Sequence, residues 1–178
     1  MKRAYNFDMQ EKEFHPESIS IELKSIYEED QVNRGKIDTS QPEEIWRPIF
    51  EAMMDHDEIR LARVREMILN KELRTGADFY HAAMIFQHSP DIADYALAHL
   101  LALKSSEMGY ECEDGKSPLW LAAAAKDRWL VRIGQLQDFG TQYTWDKETN
   151  QNKQYPVNPA ITDEERKRWH VPPLNNED

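Results

Sequence analysis

Asp127-Arg128-Trp129-Leu130-Val131-Arg132-Ile133-Gly134-Gln135-Leu136-Gln137-Asp138-Phe139-Gly140-Thr141-Gln142-Tyr143 is where the chain changes character. The stretch begins on an apolar helix, sets an Asp-Arg pair inside it, breaks at Gly134 and ends in a tight polar turn. Upstream, apolar residues recur at helical spacing. Downstream, Thr141-Gln142-Tyr143-Thr144-Trp145 has β character, Asp146 to Lys153 is a polar turn, and Gln154-Tyr155-Pro156-Val157 reads as a returning strand. A short hairpin over about 141–157 follows. The fold class is therefore mainly α: a compact domain of about six helices with a short C-terminal β-hairpin. Adjacent opposite charges are unusual inside a helix, and three glutamines crowded around two glycines are unusual in a turn. The same stretch is thus the candidate site.

Working back from it, Ser117-Pro118 is a cap followed by a first-position proline and opens a helix from Leu119 to Ile133. Ala122 to Ala125 permit close helix contact there. Ser89-Pro90-Asp91 starts the preceding helix by the same device, and Gly109 ends it. Thr75-Gly76-Ala77-Asp78 caps a helix from Phe79 to His88 that is apolar on nearly all sides and so buried. Leu61, Val64 and Ile68 mark a helix starting near Asp57. Ser40-Gln41-Pro42-Glu43 has capping-box spacing and opens a helix whose buried face is Ile45, Trp46, Ile49, Phe50 and Met53, bent or shortened at Pro48. Ile19, Leu23 and Ile26, with Tyr27 alongside, stripe the first helix, which Gly35 stops. Residues 1–16 read as an arm that packs through Tyr5 and Phe7, and 17–178 as one domain. The domain closes with a helical turn at Thr162-Asp163-Glu164-Glu165 and the extended tail Val171-Pro172-Pro173-Leu174.

Composition bounds the function. Of 178 residues, 40% are apolar and 31% charged, which suits one helical globular domain with a proper core. The single cysteine excludes an internal disulfide. Net charge is −11, from 33 acidic against 22 basic residues. With no Lys/Arg cluster, such a chain repels nucleic acid and anionic membrane. No apolar run approaches membrane-spanning length, and Met1 to Asp8 lacks a secretory apolar core. The expectation is a soluble, cytoplasmic protein with its oligomeric state left open.

His88 is the candidate acid–base group. It ends a buried helix beside Gln87, where the helix C-terminus favours the imidazolium; the plainer reading is a core histidine bonded to a carbonyl. His81 lies seven residues earlier on the same face. At about 1.5 Å rise per residue the pair is roughly 10 Å apart, too far to share one metal ion. His15, His56 and His99 have no supporting neighbours, so no metal or other cofactor is expected. Asp127 and Arg128 point about 100° apart on their helix. Functionally, Arg128 would hold an anionic or carbonyl group while Asp127 orients His88 or a substrate amine. Structurally, the two would form a buried network tied to an N-terminal helix through Asp30 or Arg34. The Gly140-Thr141-Gln142 turn can aim backbone N–H groups at a ligand, with Gln137 and Gln142 adding amide contacts. It lacks the extra glycines and the lysine of a phosphate loop. Cys112, between Glu111 and Glu113, is a poor nucleophile because like charge disfavours the thiolate. No Gly-x-Ser-x-Gly, His-Glu-x-x-His or Cys-x-x-Cys occurs.

The chain resembles an uncharacterised bacterial family, a domain of unknown function, with a D-R then G-x-x-Q-x-[FY]-G-T-Q signature. The matching residues are Asp127-Arg128 and Gly134-Gln135-Leu136-Gln137-Asp138-Phe139-Gly140-Thr141-Gln142. Asp30-Gln31-Val32-Asn33-Arg34 is similar to its early D-Q-x-x-R, and Ala83-Met84-Ile85-Phe86-Gln87-His88 to its A-x-x-x-Q-H. Thr162-Asp163-Glu164-Glu165-Arg166 and Pro172-Pro173-Leu174 are similar to its closing segment, so the likeness covers roughly residues 20–175. It departs at Arg74-Thr75-Gly76-Ala77, where a Gly-aromatic turn is more typical. The resemblance implies a site and no particular reaction.

Two functions are compatible with these residues. One is a small enzyme or ligand-binding protein without a cofactor. It would act on a polar small molecule or peptide through His88, Asp127 and Arg128, with Gln87, Gln137, Gly140, Thr141 and Gln142 binding the ligand. The other is a helical protein-interaction module whose polar motifs are structural locks. A solvent-connected pocket lined by those side chains favours the first; full burial with mutual hydrogen bonds favours the second.

Overall fold

The computed structural model of the protein describes residues 16–112, 115–146, 148–149 and 151–174, with residues 16–19 described in their backbone only. Five long helices come first: α1 (Pro16–Gly35), α2 (Glu43–Leu69), α3 (Gly76–Gln87), α4 (Ile92–Glu107) and α5 (Pro118–Arg132). A two-stranded antiparallel sheet of β1 (Tyr143–Asp146) and β2 (Gln151–Gln154) follows, and α6 (Asp163–Arg168) is the sixth helix. The architecture is mainly α with a C-terminal hairpin, as the periodicity predicts. Residues 1–15 of the expected arm, with Tyr5 and Phe7, lie outside the described residues, and Pro16 already opens α1.

α3 sits at the centre and packs on α4, α1, α2 and α5. Its sequence offers almost no polar face, and Tyr80, Ala82, Ala83 and Phe86 are fully buried. Thr75 fixes its start: the threonine hydroxyl accepts from Asp78 N–H while Asp78 accepts from Thr75 N–H. Asp78 also accepts from the Ser20 hydroxyl, which ties α1 to the start of α3. Small side chains let α4 and α5 approach closely, with Ala98, Ala102 and Ala122 to Ala125 all in the core. Gly134, at φ +74°, closes α5: its N–H donates to Val131 O and that of Gln135 to Leu130 O.

Several expectations change. The helices expected to begin at about 42 and 57 are one helix of 27 residues, α2. Pro48 does not break it, because the proline forfeits a single bond, to Glu44 O, in an exposed turn where water can serve that carbonyl. Pro42 rather than Ser40 is its N-cap, and the Ser40 hydroxyl donates to Asp38 instead. The face expected to be buried is buried only at Met53, with Trp46 half-buried: Ile45 is 56% exposed and Phe50 39%. Burial along α2 begins at Met53, so the helix overhangs the core. α4 is capped by Asp91, whose carboxylate accepts from Ala93 N–H, and not by Ser89. The returning strand is 151–154, in register Tyr143↔Gln154 to Asp146↔Gln151. Val157 instead pairs with Gln137 in an isolated parallel bridge. Among the described residues, no helix is long and apolar enough to cross a membrane.

Candidate functional site

The helical cap that ends α3 is His88, and α1 lays Asp30 against it, with Nδ1 3.1 Å from Asp30 Oδ2. Asp30 is buried and also accepts from Arg34 Nε at 3.0 Å and Gln31 Nε2 at 2.8 Å. Arg34 reaches on to Asp57 at 2.8 Å, and Asp57 accepts from Arg60 at 3.0 Å. Two carboxylates and two guanidiniums thus form a charge-balanced chain behind the histidine.

Burial disfavours the imidazolium and outweighs the Asp30 carboxylate, while Arg34 and Arg128 push the same way. His88 is therefore held below its ordinary value. The helix C-terminus, expected to favour the charged ring, is overridden by desolvation. For Asp30, burial works against ionisation, but the bond and charge of His88 and those of Arg34 prevail and hold the carboxyl below its ordinary value. An ionised Asp30 accepts, so Nδ1 of His88 carries the proton and Nε2 the lone pair. No side chain among the described residues bonds Nε2.

The ring lines a cleft of about 750 Å³. Phe50, Met53 and Met54 of α2 line it, as do Val131 of α5, Tyr143 of β1 and Tyr155. Arg34, Arg128, Arg132 and Gln142 supply its polar lining. Arg128 is held by two neutral acceptors: Nη1 donates to the Gln87 carbonyl at 2.5 Å and Nε to Gln142 Oε1 at 3.1 Å. Gln142 is oriented in turn by its Nε2, which donates to Ala124 O at 3.2 Å.

The remaining motif residues do not reach this cleft. Asp127 is fully buried, and its carboxylate accepts from Asp138 N–H (2.7 Å), Phe139 N–H (2.9 Å), Thr141 N–H (3.0 Å) and the Thr141 hydroxyl (2.8 Å). It organises the loop after α5 and has no contact with His88, so the orienting role expected of it falls to Asp30. Gln137 is also fully buried: its Nε2 donates to Gln142 O and Tyr155 O, and its Oε1 accepts from Gln142 N–H. The Gln87 side chain turns to Met84 Sδ, leaving only its carbonyl to serve Arg128. Gly140 and Thr141 line a separate, smaller cleft of about 320 Å³ beside Lys116 and Trp120. Gly140 lies at φ +79°, and a Cβ there would sit 2.7 Å from Leu174 Cδ2. That glycine admits the tail; it does not present N–H groups to the His88 cleft.

Compared with protein-family models, curated proteins and solved structures, the chain matches none. The site stands on its own geometry.

Three of the singled-out residues, His88, Arg128 and Gln142, come together in the cleft; Asp127, Gln137, Gly140 and Thr141 brace the loop and hairpin that form one side of it. Asp30 and Arg34 are legible in the sequence as a D-Q-x-x-R stretch and as possible tethers of Asp127 and Arg128, whereas in the structure Asp30 holds His88 and Arg34 bonds Asp30 and Asp57. Tyr143 lies in the stretch marked as the candidate site, but Tyr95 and Tyr155 carry no site signal, since no spacing links them to it. His81 packs in the core, stacked on Tyr27 at 4.5 Å between ring centroids. Among the described residues, no group of three or more His, Cys, Asp or Glu side chains could hold a metal ion.

Proposed function

We propose that the protein is a small enzyme or ligand-binding protein that admits a polar small molecule or peptide to this cleft. His88 is its acid–base group, and the chemistry uses neither metal nor other cofactor. One observation carries the reading: His88 lines an open cleft with Nε2 unpartnered among the described residues, while a buried, arginine-anchored carboxylate holds Nδ1. A neutral imidazole so held takes a proton at Nε2 from a bound hydroxyl, amine or water. Asp30 stabilises the imidazolium, and the proton returns to the product or leaving group. Assistance of this kind contributes roughly 10²–10⁴-fold in rate. The net charge of −11 and single cysteine support a cytoplasmic setting with no nucleic-acid partner.

A protein-interaction module remains the second reading. It is favoured by the complete burial of Asp127 and Gln137 as locks and by the exposed apolar start of α2. Site-resolved acylation with diethyl pyrocarbonate separates the two, because the reagent attacks accessible neutral imidazole. The enzyme reading expects a His88 adduct whose rate is half-maximal below pH 6.5, the ordinary histidine value. It also expects slower reaction in Asp30→Asn. A His88 that resists acylation in the folded protein at every pH sinks the enzyme reading.

A further inference from the structure

We infer that the cleft recognises an oxyanion, a phosphate or carboxylate group, carried on an apolar or aromatic body. The inference deepens the cleft's reading as a ligand site and rests on it, although it does not depend on proton transfer at His88.

The charge inventory leads there. Arg34 and Arg60 are matched by Asp30 and Asp57. Arg128 and Arg132 are not: among the described residues neither pairs with a carboxylate, and no acidic side chain lines the cleft. An acidic chain of net charge −11 thus presents two unmatched guanidiniums in one concavity. Arg132 is exposed, but Arg128 is largely enclosed, and its bonds go only to a backbone carbonyl and an amide oxygen. A partly buried cation without a counter-charge is costly unless an anion completes it. Burial first, opposed by Tyr95 and reinforced by the charges of Arg34 and Arg132, presses Arg128 below its ordinary value. The two fixed bonds use Nε and Nη1, which leaves Nη2 with no bonded partner among the described residues. A planar guanidinium anchored on two donors and open at a third is pre-organised for an oxyanion.

The rest of the cleft describes what the anion is attached to. Phe50, Met53, Met54, Val131, Tyr143 and Tyr155 all line the cavity. Phe50 and Tyr143 are exposed despite their size, at 39% and 55%. An apolar and aromatic lining that also carries unmatched arginines suits an amphiphilic ligand better than a free inorganic ion. The cavity of about 750 Å³ has the size of a small-molecule site.

Phenyl phosphate, phenylacetate and neutral phenylacetamide are matched probes for titration calorimetry and for the His88 ring resonances, at constant ionic strength. At least one of the two anions is expected to bind saturably and shift the His88 resonances, the stronger of them identifying the head group; the amide is expected to do neither. Arg128→Gln should weaken anion binding roughly tenfold or more, the loss of one charge-assisted contact, and Arg128→Lys should restore part of it. Because Arg128 also holds the Gln87 carbonyl, Arg132→Gln is the second variant. It removes an exposed charge and should weaken binding several-fold in a fully folded protein. Equal binding of anions and amide, no saturable binding of either anion, or unchanged affinity in Arg132→Gln would overturn the inference. His88→Gln separates the two claims: anion binding survives in it even where proton transfer is lost.

Discussion

Asp30 and His88, 58 residues apart in sequence, meet with Oδ2 3.1 Å from Nδ1. The pair decides which histidine nitrogen is basic, and it makes His88 a pH-dependent element of both site and stability. His88 sits below its ordinary value of 6.5, as does core His81. The unfolded chain therefore takes up protons first as pH falls through about 6.5, and the native state loses stability from there downward until the folded-state values are reached. Thermal midpoints should be level near pH 8 and decline below about 6.5. In His88→Gln the decline is shallower, with the remainder due to His81, and at pH 8 the loss is below about 1.5 kcal/mol. An NMR titration of the His88 ring with a midpoint above 6.5 would contradict this.

Asp127 should behave as a lock. Asp127→Ala strands three backbone N–H groups and a hydroxyl that the carboxylate now satisfies. At about 1–3 kcal/mol for each buried donor left unmade, the total loss is at least about 3 kcal/mol by urea unfolding. The His88 acylation rate per folded molecule should hold. A stable Asp127→Ala protein with an unreactive His88 would return the residue to a direct role.

Gly140→Ala places a Cβ where Leu174 and Gln154 now lie, on a backbone at φ +79°. The strain is about 1–3 kcal/mol, and the cheapest relief is release of residues 171–174. Limited proteolysis should then cut the C-terminal segment faster than in the parent while the helices resist.

Pro48→Ala should stabilise the protein. The proline lies inside α2 at an exposed position, and alanine restores a donor for Glu44 O. The gain is about 1 kcal/mol, less than the roughly 3 kcal/mol of a mid-helix proline because the site is close to the helix end. A lower melting midpoint in Pro48→Ala would mean that the proline shapes the overhang in some other way.

Most elements were legible because their signals are local. Thr75, Ser117 and Thr162 cap the helices that follow them, and Gly134 closes α5. α2 is longer than its sequence suggests because Pro48 costs one exposed bond, a tolerable defect in a long helix. The exposed Ile45 and Phe50 misled for a related reason: a periodic apolar stripe shows that a helix is amphipathic, not that another element arrives to cover it. In the site, the Asp-Arg pair and the G-T-Q turn were recognisable as special, but their split was not. Asp127 turns inward to a loop while Arg128 turns to the cleft, about 100° away, and sequence cannot tell which direction holds solvent. Asp30 was invisible as the partner of His88 because long-range contacts leave no spacing to read.

The overhang of α2 gives the cleft sides of unequal stiffness. Residues 43–52 are exposed apart from half-buried Trp46, whereas burial begins at Met53 and runs through Met67. Amide hydrogens in the leading turns should exchange with deuterium by local fraying, and those from Met53 onward only when the core opens. Phe50 and Met54 straddle that boundary. A bound molecule touching both therefore slows exchange first in the leading turns of α2, so isotope uptake there reports occupancy even for a ligand whose chemistry is silent.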